Sequence, residues 1–497
     1  MRRSSVRLRI LPGVTAGVLH SALLLSVAWA QSPPAPAPAP PERPNIVLLI
    51  GDDHGWPYYG FMGSKDVRTP NLDLLAEQGV VFPLAHSTST LCRPSLISLL
   101  TGLYPIQYFH RVQQLPPDKI KPREATGIFT QRQQELWAFA IQNFDTLPRL
   151  LAQNGYVSFQ AGKLWEGPFE LSGFTEGMSA EWNKSVIDKH GLLLAMAGGD
   201  GLEIGRKTMQ PVFDFIDRHR DQPFFLWYAP MLPHVPFDPP YKYLKYYEGK
   251  GYSESAKKYY ANCTWFDAGV GELMDFLQER GVLEKTLFVY ASDNGWEQEP
   301  NLELKGHFDL TSFGGPLGKN SLHDFGFRTP LLFCRPGRTP AGARREGLAS
   351  TIDIVPTILD YAGVKIPEEL PGQSLRAVIE GRSELTRPCL IDTVEQLRGD
   401  RGWKEDFAYR GYALRTPRWH YALCRERGIE MLFDLSVDPM SSTNVVMDHP
   451  DLSREFSKRI EEWRDAMLSG TEAPGGEKPA AEPAKPSPAP EQPAVAR

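Results

Sequence analysis

Asn45-Ile46-Val47-Leu48-Leu49-Ile50, ending in Gly51-Asp52-Asp53, is the stretch that decides the fold. An unbroken apolar, β-branched run of this kind reads as a strand buried on both faces, as in the middle of a parallel sheet. After it, Thr69-Pro70-Asn71 supplies a helix start, Leu72, Leu75 and Ala76 continue at helical spacing, and Gly79 supplies the stop. Further strands are read at Pro223 to Ala229, Thr286 to Ser292 and Pro330 to Cys334. Helical patterns lie at Met209 to His219, Cys263 to Gly281 and Ile352 to Gly363. This alternation predicts an α/β fold with a mostly parallel central sheet flanked by helices on both faces. Beyond about Leu375 the character changes. Tyr409 to Cys424 and Glu430 to Leu435 read as short antiparallel strands, and Leu452 to Met467 as a closing amphipathic helix. That predicts a smaller C-terminal α+β subdomain.

The chain has 497 residues, 41% of them hydrophobic, enough for one large core or two unequal ones. Its formal net charge is −6. No long basic run follows the first residues, so no nucleic-acid partner is expected. At the start, Arg2, Arg3, Arg7 and Arg9 precede an apolar run from Val14 to Ala28, and Ala28-Trp29-Ala30 has the form of a signal peptidase site. Residues 1–30 read as a cleaved secretory signal, with an uncleaved anchor as the alternative. The run is short for a span and no stop-transfer segment follows it. A periplasmic or secreted protein without a membrane span after cleavage is expected. Residues 31–43 form a Pro/Ala-rich linker and 471–497 a disordered tail of similar composition. The folded part divides into a main domain, 44–375, and the C-terminal subdomain, 376–470.

Cys92, Cys263, Cys334, Cys389 and Cys424 include no CxxC pair, which excludes a zinc ribbon or thioredoxin motif. In an oxidising compartment four of the five could pair. Asn183-Lys184-Ser185 and Asn262-Cys263-Thr264 are glycosylation sequons by pattern.

In a parallel sheet, ligands bind beyond the carboxyl ends of the strands. Asp52-Asp53 and Asp293-Asn294 each follow a predicted strand. Four hard oxygen donors without sulfur or imidazole suit calcium or magnesium rather than zinc. Taken alone, Asp52-Asp53 equally fits a helix cap and turn. Cys92-Arg93-Pro94-Ser95-Leu96 opens an apolar helix with a nucleophile pattern, at the end where free N–H groups favour anions. An isolated apolar-flanked cysteine would read instead as a small buried hydrophobe. Lys163 follows Gly162, and Lys319 closes the loop Gly314-Gly315-Pro316-Leu317-Gly318-Lys319; each lysine singly reads as solvated surface. His234 stands between Pro233 and Pro236, a rigid frame for proton transfer or for simple packing.

From Pro44 to Asp451 the chain resembles the sulfatases of the alkaline-phosphatase-like superfamily. The motifs that carry the resemblance come in family order: RPNIVLLIGDDHG, RTPNLDLLAEQGVVF, CRPSLISLLTGLYP, the Gly162-Lys163 pair, PHVPF, SDNG, GPLGKNSLHDFGFRTPLLF and LRTPRWHYAL. The resemblance implies that Asp52, Asp53, Asp293 and Asn294 ligate one divalent cation, calcium rather than magnesium, beside Cys92. It implies that a formylglycine-generating enzyme oxidises Cys92 to formylglycine, whose hydrate attacks sulfur. Lys163 and Lys319 would hold sulfate oxygens, and His234 or Lys319 would assist the leaving alkoxide. The substrate would be a sulfated small molecule or glycan, and Trp182, Trp296, Trp403 and Trp419 suit either sugar stacking or the core.

Two positions depart from the family pattern. Leu96 stands where the oxidation motif has arginine, and Arg93 replaces that cation only if its side chain turns inward. Trp165 stands where the family has Lys-x-His, leaving His323 and His307 as candidate replacements. These departures keep two other readings open: a phosphodiesterase or phosphonate monoester hydrolase of the same superfamily, and a catalytically weakened binder of sulfated glycans.

Overall fold

A computed structural model describes residues 43–116, 138–179, 184–296, 317–395 and 409–470. The signal, linker and tail readings, and those for Asn183, Trp182, Trp403 and His307, lie outside the described residues. Strands β1 (Asn45–Gly51), β2 (Val80–Phe82), β3 (Ala85–His86), β4 (Val157–Gly162), β5 (Glu176–Gly177), β6 (Phe224–Ala229), β7 (Thr286–Ser292), β8 (Leu331–Cys334) and β9 (Ala343–Arg344) precede a short β10 (Ala349–Ser350) that pairs with β3. The main sheet has the order β5-β4-β6-β1-β7-β8-β2-β9. Its pairings are parallel except for the two made by β8.

The apolar run of β1 is buried throughout because both sheet faces are covered. Side chains alternate across a strand, so Ile46, Leu48 and Ile50 enter one core and Val47 and Leu49 the other. The helices that pack against the sheet include α1 (Pro70–Gln78), α2 (Cys92–Thr101), α3 (Pro105–Gln114), α4 (Leu147–Ala152), α5 (Gln210–His219), α6 (Glu254–Glu279) and α7 (Ile354–Ala362). Apolar residues of α2, α4 and α7 fill the first core, and those of α1, α5 and α6 the second. Helix α6 begins well before Cys263, where Ser253 caps it by accepting from the Ala256 N–H at 3.2 Å. Its opening turns are Lys- and Tyr-rich, and this hides their helical period.

The C-terminal sheet is an antiparallel meander of β11 (Leu390–Glu395), β12 (Tyr409–Arg415), β13 (Trp419–Cys424) and β14 (Ile429–Asp434). The closing helix α8 (Pro450–Ser469) packs Phe456, Ile460 and Trp463 with Leu414, Tyr421 and Leu432 of that sheet. Tyr104, Ile106 and Ile352 share this core. A buried ionic junction ties the meander to the main sheet. His86 on β3 meets Asp392 of β11 at 3.1 Å and Asp324 at 3.0 Å, and the Arg415 Nε of β12 donates to Asp324 at 3.0 Å.

All five cysteines are free, so the pairing that an oxidising compartment would permit is absent. The sequon at Asn262 is also overturned as a glycosylation site. Asn262 is fully buried on α6, with its Nδ2 donating to the carbonyls of Pro233 at 3.2 Å and Pro236 at 3.3 Å.

Candidate active site

Four neighbouring strands, β4, β6, β1 and β7, run parallel and end at one edge. Gly51 lies opposite Ser292 in the register, which sets Asp52-Asp53 beside Asp293-Asn294. Two backbone bonds fix this meeting: Asp293 N–H to Gly51 O at 2.9 Å and Asp52 N–H to Leu232 O at 3.0 Å. Gly162 ends β4 at a φ of +99°, and a Cβ there would stand 2.0 Å from the carbonyl oxygen of Ala229. Only glycine makes this turn, which brings Lys163 to the same edge. Asp53 itself sits at a φ of 65°, a conformation costly for a side chain other than glycine.

The side chains then converge. Lys163 Nζ donates to both carboxylate oxygens of Asp52 at 2.7 and 2.8 Å, and Lys319 Nζ donates to Asp53 Oδ2 at 2.8 Å. Asn294 Nδ2 donates to Asp53 Oδ1 at 2.6 Å, and the Asp53 N–H to Asp293 Oδ1 at 3.0 Å. All of these residues are buried. Burial works to raise the Asp53 carboxyl, but Lys319, His234 and Lys163 outweigh it and hold it well below the usual carboxylate range. Asp293 goes the other way, pushed up by burial and then by the charge of Asp52.

Three carboxylates against two ammonium groups leave the pocket short of positive charge. Asp293 Oδ2 and Asn294 Oδ1 are buried and lack a hydrogen-bond partner among the described residues. Such orphaned hard donors fit a divalent cation that prefers oxygen ligands. One ligand atom each from Asp52, Asp53 and His234 also lie within 4.8 Å of one another. His234, read from sequence as a proton carrier, therefore borders the cation site too. Its Nδ1 faces the carbonyl of Val235 at 2.6 Å, so that nitrogen carries the proton and Nε2, 3.6 Å from Asp53 Oδ2, presents its lone pair. Burial pushes the ring down to about 4, which keeps it neutral at pH 7.

Cys92 is the first residue of α2, and the structure brings it to the same cluster. Burial raises its thiol, and the charges of Lys163, Lys319, Asp293 and Asp52 all act on it. The loop carrying Lys319 is tied to this region, with Lys319 N–H donating to Trp296 O at 3.0 Å and Asn320 N–H to Thr90 O at 2.9 Å.

The departures resolve differently. Leu96 points into the apolar core between sheet and helices. Arg93 does turn inward, with its guanidinium held by Glu166: Nε to Oε1 at 2.7 Å and Nη2 to Oε2 at 3.2 Å. Tyr108 donates to the same carboxylate at 3.3 Å. Sequence reading missed Glu166, three positions after Lys163, because nothing local marks a buried charge pair. Trp165 lies against Ala197, Leu202 and Met231, its ring 6.0 Å from the Lys163 ammonium. His323 packs against Phe433 of the C-terminal sheet rather than among the aspartates. Trp296 and Trp419 are buried core residues, so they offer no sugar platform.

The chain matches the model of the Sulfatase family over residues 44–364, and that of the N-sulphoglucosamine sulphohydrolase C-terminal region over residues 315–466. It is 29% identical to N-acetylgalactosamine-6-sulfatase of Canis lupus familiaris over 74% of this chain and 70% of that protein. It is 24% identical to an arylsulfatase of Clostridium perfringens over 86% of this chain and 95% of that one. A solved structure of a protein in complex with its substrate D-glucosamine-2-N,6-O-disulfate superposes with a TM-score of 0.61 at 19% identity, covering 87% of this chain and 99% of that one. These matches favour neither the phosphodiesterase reading nor the weakened binder. Fold, edge and family profile agree, and this chain belongs to the Sulfatase family of sulfuric ester hydrolases.

Proposed function

We propose that this sulfatase releases sulfate from a sulfated sugar, using formylglycine made from Cys92 and a calcium ion held by Asp52, Asp53, Asp293 and Asn294. The observation that carries the reading is the burial of three carboxylates and two ammonium groups around a single cysteine, with the half-buried neutral imidazole of His234 at their border. A hard cation bound there would act as a Lewis acid and lower the pKa of a neighbouring hydroxyl. Burial raises the Cys92 thiol, which makes the unmodified side chain a poor nucleophile and favours an oxidised form as the attacking group.

Each protein group has a task that follows from its charge. Lys163 and Lys319 supply fixed positive charge for the anionic oxygens of the sulfate group in a pocket that excludes water. Neutral His234 holds its Nδ1 proton against Val235 O and offers Nε2 as a base or ligand. Arg93, neutralised by Glu166, braces the start of α2. The names of the relatives and the disulfated glucosamine bound to the structural neighbour are statements about those proteins; they support a carbohydrate substrate here. The arginines and apolar run ahead of Ala30 support export to the periplasm or medium.

The test is hydrolysis of an aryl sulfate and of a panel of sulfated monosaccharides, before chelation, after it, and after calcium is returned. Turnover lost on chelation and restored by calcium is expected. Faster turnover of phosphate diesters than of sulfates would overturn the assignment.

A further inference from the structure

The loop carrying His234 runs on into a stretch where lysine and tyrosine alternate, Tyr241-Lys242-Tyr243-Leu244-Lys245-Tyr246-Tyr247-Glu248-Gly249-Lys250. Within a chain of formal net charge −6, this surface is locally cationic and aromatic. Tyr241 is 66% exposed and Tyr246 37%. The Arg68 guanidinium lies 4.5 Å over the Tyr246 ring and Lys245 5.6 Å over the same ring; Lys242 lies 4.8 Å over Tyr243, and Lys250 5.5 Å over Tyr247. None of these four cations forms an ion pair with a described carboxylate, whereas Lys257, on the helix beyond, is paired with Glu254. The nearby acids are engaged by tyrosine hydroxyls: Tyr241 donates to Glu248 at 3.2 Å and Tyr252 to Asp66 at 2.6 Å.

This surface is built onto the catalytic edge. Tyr243 stacks on Trp265 at 6.1 Å and 24°, and Arg206 lies 5.2 Å over the Trp265 ring. Arg206 in turn donates to the carbonyls of Met231 at 2.8 Å and of His234 and Pro236 at 3.1 Å each. One contact path thus joins the lysine–tyrosine face to the backbone of His234.

We infer that this face is a second binding surface for the chain of a sulfated polysaccharide, beyond the pocket that cleaves the ester. Sugar rings lie on the face of Tyr241, Tyr246 holds Arg68 and Lys245 over its ring, and sulfate groups meet Arg68, Lys242, Lys245 and Lys250. The choice of sugar rests on the carbohydrate-sulfatase reading. Aromatic faces flanking each cation match a chain of saturated rings bearing anions, whose axial C–H faces stack on aromatic rings. Duplex nucleic acid offers no free ring face, because its bases are stacked inside. Retention is electrostatic in part and weakens as salt is added.

The test is affinity electrophoresis of the full chain through gels containing dextran sulfate or unsulfated dextran, with duplex DNA as a third matrix. Two variants are compared with wild type: Lys242→Ala/Lys245→Ala/Lys250→Ala and Tyr241→Ala/Tyr246→Ala. Both are expected to bind dextran sulfate at least about tenfold more weakly, with kcat/KM on a small aryl sulfate unchanged. Unchanged retention in either variant would overturn the proposal, as would equal retention of the wild type by duplex DNA. A parallel loss of aryl sulfate turnover would deny that the surface is separate from the pocket. Variant-sensitive retention in a protein that cleaves no sulfate ester would overturn the enzymatic reading and leave the binding surface standing.

Discussion

Arg93 and Glu166 meet inside the protein through two hydrogen bonds, and Arg93 is the residue next to Cys92. Arg93 is 5% exposed and Glu166 2%. Removing one partner of such a pair strands a buried charge, at about 3–5 kcal/mol, whereas replacing both by apolar residues of similar volume is often close to neutral. Glu166→Gln should therefore lower the free energy of unfolding by about 3 kcal/mol in urea titrations. The double variant Arg93→Met/Glu166→Leu should lose less than either single one. A double loss equal to the sum of the singles would show that the two charges are independent.

Asp293 presents an orphaned buried oxygen and a carboxyl pushed upward by burial and by Asp52. Asp293→Asn keeps the shape and removes that repulsion. Without calcium the variant should be as stable as wild type or more so, while its calcium affinity falls by about tenfold or more. Calorimetric titration with calcium and a thermal melt measure both. Wild-type calcium affinity in the variant would remove Asp293 from the cation site.

Lys163 bonds both oxygens of Asp52, and Asp52 raises the lysine against the effect of burial, so the ammonium stays charged. Lys163→Met should lower kcat on an aryl sulfate by a factor on the order of 10²–10³, the usual loss when one donor to a developing anion is removed. A kcat within twofold of wild type would contradict the role given to it.

The linear signal was clearest where burial was two-sided. The runs at β1, β6 and β7 are apolar without interruption, and the bounds read from them agree with the structure to within one residue. Strand β4 escaped because Ser158 and Gln160 interrupt it; both are buried, and Gln160 spends its amide on the Gly162 carbonyl and the Ser179 N–H. Strand β11 escaped for a similar reason, since Asp392 sits in it to meet His86. The site was legible because two strand ends in register fix where four acidic or amide side chains go. Glu166 was not, because its partner lies 73 positions away. The Asn262 sequon misled because a local pattern carries no record of burial.

His420 gives a dependence on pH. Burial, opposed in part by Asp324, pushes this imidazole down to about 4, and its Nε2 donates to Leu322 O at 2.8 Å. Between pH 6.5 and 4 the unfolded chain takes up a proton that the folded one refuses, so this stabilisation is complete above 6.5 and is lost as pH falls. His420→Gln should flatten the stability curve in that window by roughly one proton, about 1.4 kcal/mol per pH unit. Identical slopes for variant and wild type, from urea titrations at several pH values, would contradict it.

The most direct test of the whole account is the mass of the peptide carrying Cys92, taken from protein exported by its native host. An aldehyde in place of the thiol is predicted, in the same preparation that cleaves an aryl sulfate. A thiol in every molecule of an active preparation would contradict it.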